Sequence, residues 1–187
     1  MLYSIGHSTR SHEELVQALR AWGVTTLVDI RTITRSRTNP QFDRARLTRR
    51  LSHDGIAYVA IPGLGGRRPR SKTADPARNA GWHVAAFHHY ADYAETPAFA
   101  AALAELLALA RSSICAMMCA EALWWRCHRR IVADYALLRG VRVRHIFTPN
   151  KAEPASRTPF ARFDRRTRTL RYPTEAAGAV SATLVDT

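Results

Sequence analysis

Apolar and polar positions along this chain follow two periods in turn, that of strands and that of helices. Leu2–Ile5 is a short apolar run ending at Gly6-His7-Ser8. Ser11-His12-Glu13-Glu14 then has the form of a capping box, in which the serine accepts from the Glu14 N–H and the glutamate reaches back. Leu15, Val16, Leu19 and Trp22 follow at helical spacing, and Gly23 supplies the stop. The β-branched run Thr25–Ile30 predicts a second strand. Asp43–Asp54 predicts a basic helix with Ala45, Leu47 and Leu51 as its apolar side, closed by Gly55. Residues 56–61 predict a third strand, broken by Pro62-Gly63-Leu64-Gly65-Gly66.

The segment 67–82 is basic and rich in turn formers, which predicts a long loop. Helical spacing returns over His83–Glu95, and Thr96-Pro97 supplies an N-cap and first-turn proline for a helix running to about Arg111. A strand at 114–119, a helix from about Trp124 to Leu138, a stop at Gly140 and a strand at 141–147 follow. Phe160, Phe163, Leu170 and Tyr172, placed around Asp164-Arg165-Arg166-Thr167, predict an appended hairpin over about 158–173. Strands alternating with helices predict βαβ units and a mainly parallel sheet, here of five strands. Residues 1–173 are expected to form a single α/β domain, and 174–187, small and polar, a flexible tail.

Composition narrows the class. The 187 residues suffice for a real core, and no apolar stretch is long enough to span a bilayer. There is no basic segment leading into an apolar one at the start, and the three cysteines lack the spacing of a disulfide framework. A cytoplasmic protein without membrane association is expected. The formal net charge is +13, and 26 of the 28 basic residues are arginine. An Arg-rich excess of this kind suits polyanions, so nucleic acid or a nucleotide is the expected partner.

The candidate chemistry collects at strand ends. In parallel sheets ligands bind beyond the carboxyl ends of the strands. Those ends carry His7 and Ser8, Asp29 with Arg31, the Pro62–Gly66 turn, Cys119 with Glu121, and Thr148 with Asn150. Asp29 and Glu121 are candidates for acid and base; Asp29 has the alternative of a structural carboxylate held by Arg31 or by backbone N–H groups. Arg31, Arg35 and Arg37 form an anion clamp in a segment too polar for core. Cys119 stands where a helix N-terminus would favour a thiolate. A phosphatase-type loop, however, needs arginine six positions on, where this chain has Trp125. Cys119, Cys127 and His128 lack a clear fourth metal ligand. On a helix, Cys127 and His128 would also diverge, so neither a metal nor a cofactor is expected. His128 and Arg129 read as hydrogen bonders to a carboxylate or to substrate. Tyr90 and Tyr93 share a helical face and are candidates to stack on bases, with core packing as the alternative. Gly63–Gly66 leads into loop, not helix, and no phosphate-loop Gly-Lys-Ser/Thr occurs, so neither nucleotide fingerprint is present.

With these residues in view the chain resembles the domain of unknown function 488 family. The likeness runs through Ser4-Ile-Gly-His-Ser8, Leu27-Val-Asp-Ile-Arg31, Ser36-Arg37, Pro40-Gln-Phe42, Leu64-Gly-Gly66, Tyr90-Ala-Asp-Tyr93, Cys119-Ala-Glu121, Cys127-His-Arg129 and Val143-Arg-His-Ile146. It extends to Leu170-Arg-Tyr-Pro173 and covers about nine-tenths of the chain. The resemblance implies a Rossmann-like α/β fold and no agreed activity. It also implies functional positions at His7, Ser8, Asp29, Arg31, Ser36, Arg37, Glu121, Cys127, His128 and Arg129.

Together these features lead to an expected hydrolase on nucleic acid or a nucleotide, with glycosidic-bond cleavage slightly preferred. Glu121 or Asp29 would activate water, with His7 and His128 beside them, and Arg31, Arg37 and Arg129 would hold phosphate. Two alternatives stay open: a non-catalytic nucleic-acid-binding module, and a thiol- or metal-dependent enzyme centred on Cys119, Cys127 and His128.

Overall fold

The computed structural model describes residues 1–174, so the tail expected at 174–187 lies, from residue 175 on, outside the described residues. At its centre is a six-stranded sheet in the order β3-β2-β4-β1-β5-β6. β1 (Leu2–Gly6), β2 (Thr26–Asp29), β3 (Ala57–Ala60), β4 (Cys115–Cys119) and β5 (Val143–Thr148) are the expected strands, and each pairs in parallel with its neighbours among them. The sheet is one strand wider than the sequence pattern indicates. β6 (Lys151–Pro154) turns back antiparallel along β5, setting Glu153 opposite His145. Its Lys-Ala-Glu-Pro text has no apolar run to betray it, because an edge strand tolerates charge and proline. β7 (Arg162–Asp164) and β8 (Thr169–Arg171) form the expected hairpin. The fold is Rossmann-like, with helices on both faces of a mostly parallel sheet.

The helices are α1 (His12–Ala21), α2 (Arg44–His53), α3 (Ala85–Ala94), α4 (Pro97–Ser112) and α5 (Arg129–Leu138). Local chemistry sets their ends. Ser11 and Glu14 complete the capping box in both directions, and Thr96 Oγ accepts from the Phe99 N–H above Pro97. Gly23, Gly55 and Gly140 take φ of 67°, 73° and 75°, a conformation that costs other residues, just past α1, α2 and α5. α5 starts later than its apolar spacing suggests. Trp124–Arg126 makes a single 3₁₀ turn, and Cys127 is extended at φ −132° and ψ 145°.

α1 and α2 cover one face, where Leu15, Leu19, Leu47 and Leu51 meet Ile5, Leu27, Ala116 and Met118. α3, α4, α5 and the hairpin cover the other, where Tyr90, Phe99, Leu103, Leu106 and Ile131 belong to one core with Leu2, Val28, Cys115 and Met117. β1 and β4 are neighbours in the sheet, yet β1 leads to α1 on the first face and β4 to α5 on the second. The chain therefore leaves adjacent strand ends in opposite directions, which opens a crevice at their carboxyl ends. Among the described residues no single helix is long and apolar enough to cross a membrane. α3 and α4 qualify only as a pair bent by 82°, and Tyr90, Phe99, Leu103 and Leu106 of that pair are core.

Candidate active site

A cleft of about 650 Å³ occupies that crevice. Its lining comes from the segments after β1, β2, β3 and β4, including His7, Ser8, Arg31, Arg35, Ser36, Gly66, Glu121 and His128. The Thr148 and Asn150 end of β5 does not reach it. Backbone bonds hold the rim together: the His7 and Ser8 N–H groups donate to the Cys119 and Ala120 carbonyls, each at 2.9 Å. Ser8 sits at φ 48°, a strained conformation for a non-glycine residue and one that clusters at functional sites.

Asp29 is not a free base. It is fully buried and accepts from the Arg31 backbone N–H at 3.0 Å, Arg31 Nη2 at 2.6 Å, Arg31 Nε at 2.9 Å and the Tyr58 hydroxyl at 2.7 Å. Burial and the neighbouring Asp29 push the Tyr58 hydroxyl up, so it stays a donor. Arg31 is equally committed: Nη2 also donates to the Phe42 carbonyl at 2.8 Å, and Nη1 donates to His7 Nε2 at 3.2 Å. Burial opposes its charge, but Asp29 more than offsets this and raises its pKa. Asp29 is thus held by the Arg31 side chain and backbone N–H and by Tyr58, and Arg31 bridges Asp29 and His7. His7 itself is buried and stacked on Phe42, with ring centroids 4.1 Å apart. Its Nδ1–H donates to the Ser8 carbonyl at 2.9 Å. Burial holds its pKa down to about 4, so it is neutral at pH 7.

Arg129 is likewise not a phosphate clamp. It is 1% exposed and donates to Ser4 Oγ at 3.2 Å, to the Ala122 carbonyl at 3.3 Å, to the Glu121 carbonyl and to Cys127 Sγ. These bonds fasten the 120–123 turn over β1. A glycine is required beneath it, since a Cβ at Gly6 would stand 1.9 Å from the Glu121 carbonyl oxygen. The Glu121 side chain is thereby left exposed at the cleft, the only acidic residue in its lining among the described residues.

Cys119, Cys127 and His128 meet. Cys119 ends β4 and Cys127 precedes α5 in extended backbone, so the helical divergence expected of Cys127 and His128 does not arise. His128 Nδ1 lies 3.6 Å from Cys127 Sγ and 3.9 Å from Cys119 Sγ, while its Nε2 donates to the Ile30 carbonyl at 3.2 Å. Burial alone would push the Cys127 thiol up; the Cys119 thiol, His128 and Arg129 reverse this, and it ionises well below the usual thiol range. Cys119, donating to Cys127 and buried, is held well above that range.

Two expected stacking residues serve the fold. Tyr90 is fully buried and donates to the Leu64 carbonyl at 2.7 Å; Tyr93 donates to the Gly63 carbonyl at 2.7 Å with the Arg68 guanidinium 3.7 Å above its ring. Together they pin the Pro62–Gly66 turn, so neither is a platform for bases. Ser36 lines the cleft, whereas Arg37 is exposed outside it. Arg67 is not among the expected site residues, and Gly66 is expected there only as the end of the Pro62–Gly66 turn. A Cβ at Gly66 would stand 2.3 Å from His128 Nδ1. Arg35, Arg67 and Arg126 are exposed in the lining, and none is in an ion pair among the described residues.

The family model for the domain of unknown function DUF488 matches residues 11–136. The chain belongs to the DUF488 family. Neither a curated protein nor a solved structure matches it. The DUF488 match is shorter than the resemblance drawn from motifs. It includes Asp29, Arg31, Glu121, Cys127, His128 and Arg129 and leaves His7 and Ser8 just upstream.

Proposed function

We propose that the cleft hydrolyses a phosphate-bearing substrate, a nucleic acid or nucleotide, with Glu121 drawing the proton from the attacking water. The observation that carries this reading is the charge pattern of the lining. One carboxylate, without a hydrogen bond among the described residues, faces three exposed arginines, Arg35, Arg67 and Arg126, that have no acidic partner there. A carboxylate free to take a proton serves general-base catalysis, and unpaired guanidiniums suit phosphate oxygens in two-point contact. Water gives its proton to Glu121 as its oxygen attacks, and the leaving group departs with its electron pair while the arginines hold the anionic charge.

The two-carboxylate route to glycosidic cleavage loses its support here, because Asp29 is buried and saturated by Arg31 and Tyr58. The mainly basic surface continues past the cleft: Arg35 shares a neighbouring recess with Arg44 and Arg49 of α2 and one carboxylate, Asp43, which accepts from the Ser36 N–H. That continuity favours a strand of nucleic acid over a free nucleotide.

The test is a product-mass screen of single- and double-stranded, damaged and modified oligonucleotides and RNA, run with wild type beside Glu121→Gln. The expected result is a product from wild type whose rate of formation falls on the order of 10²–10⁴-fold in Glu121→Gln, with binding retained. Equal turnover removes Glu121 from the chemistry. Strands bound with no product from any of them would make the protein a binding module.

A further inference from the structure

We propose that Cys119, Cys127 and His128 are three ligands of a tetrahedral, zinc-class cation at the floor of this cleft, with the fourth position facing the cleft. The three donor atoms lie within 4.8 Å of one another, and the two sulfur–nitrogen separations are 3.6 and 3.9 Å. An ion bound at about 2.3 Å by sulfur and about 2.0 Å by nitrogen sets tetrahedral edges of roughly 3.5–3.8 Å. The side chains therefore already stand close to the geometry that such an ion imposes.

Three further features point to a ligand. His128 Nε2 lies 3.2 Å from the Ile30 carbonyl while Nδ1 is turned toward the sulfurs; an outer partner of this kind commonly orients metal-bound histidine. Gly66 keeps the approach to that nitrogen open, since a Cβ would stand 2.3 Å from it. Arg129, 1% exposed, has no carboxylate partner among the described residues and donates Nε–H to Cys127 Sγ at 3.3 Å. A buried cation needs a counter-charge. An anionic fourth ligand on the bound ion would supply it.

The donor set fixes the class. Two sulfurs and an imidazole suit zinc-class ions and exclude the hard cations that take oxygen ligands. Three protein ligands in a cleft wall leave the open position of a catalytic site. Cys115, at the far end of β4 beside Ser113, takes no part. The catalytic role rests on the hydrolase reading above: the ion would acidify the water from which Glu121 takes the proton.

The probe is cobalt(II), titrated into the full-length chain under reducing conditions and then displaced by zinc. One equivalent should bind, with a thiolate-to-metal charge-transfer band and the intense visible bands of tetrahedral cobalt. Cys119→Ser, Cys127→Ser and His128→Ala should each weaken binding by more than the roughly 10–100-fold that loss of an outer-shell partner costs. Gly66→Ala should weaken it with every ligand still present, and Cys115→Ser should leave it unchanged. If the ligand variants fail to fold, the wild-type spectrum alone decides. A folded wild type with no thiolate charge-transfer band overturns the proposal, as does a band that Cys119→Ser and Cys127→Ser retain. Stoichiometric zinc without product from any oligonucleotide would uphold the site and remove the hydrolase. Product from chelator-stripped protein would uphold the hydrolase and end the metal's catalytic role.

Discussion

Asp29 and Arg31 show how a residue that reads as catalytic becomes part of the frame. Fully buried, the pair is tolerable only because Arg31, Tyr58 and the Arg31 backbone saturate the carboxylate. Removing the charge with Asp29→Asn leaves the guanidinium uncompensated and should destabilise the protein by about 3–5 kcal/mol in denaturant unfolding. A loss below about 1 kcal/mol would mean that Arg31 finds another counter-charge. His7 sets a pH dependence. Its pKa is about 4 folded and 6.5 unfolded, so between those values the unfolded chain binds the proton and the folded one does not. Stability should therefore fall as pH drops from 6.5 toward 4, by roughly 3 kcal/mol for this group. His145, lowered by burial and Arg129 to about 3, acts in the same direction. His7→Gln should flatten the slope in that window; an unchanged slope would assign it elsewhere.

At the scale of elements, the turn between β4 and α5 positions everything that touches the cleft on that side. Gly6 is its floor, and Gly6→Ala should cost about 1–3 kcal/mol from overpacking and also lower turnover by moving Glu121. Full activity with only the stability loss would show that the turn relaxes without shifting the carboxylate. The elements themselves were largely legible in sequence. Capping residues at Ser11 and Thr96 and glycines at 23, 55 and 140 mark ends that the structure honours. β6 was not legible, because an edge strand pairs through backbone and needs no apolar pattern. The start of α5 departs from the sequence pattern because Trp124 supplies apolar spacing while its ring stacks on His145, centroids 4.4 Å apart. The extended backbone at Cys127 is what turns it toward Cys119. Neighbours in three dimensions, Asp29 with Tyr58 or Gly66 with His128, leave no trace in linear spacing.

At the scale of the molecule, topology and charge act together. β1 and β4 part to opposite faces and open the crevice, and the arginines of the segments around it give its rim a positive charge. Binding of a nucleic-acid strand should weaken steeply with salt. Arg35→Ala, Arg67→Ala and Arg126→Ala should each lower the slope of log affinity against log salt by about 1. Slopes unaffected by all three would put the strand elsewhere on the basic surface. The fold, the cleft and the catalytic reading of Glu121 meet in a single measurement, the mass of the product formed in water enriched in heavy oxygen. Hydrolysis in this cleft should deliver one heavy oxygen atom from solvent to one product of the wild type, and Glu121→Gln should make that labelled product far more slowly. A product that carries no solvent oxygen, or label gained equally fast without the Glu121 carboxylate, would contradict it.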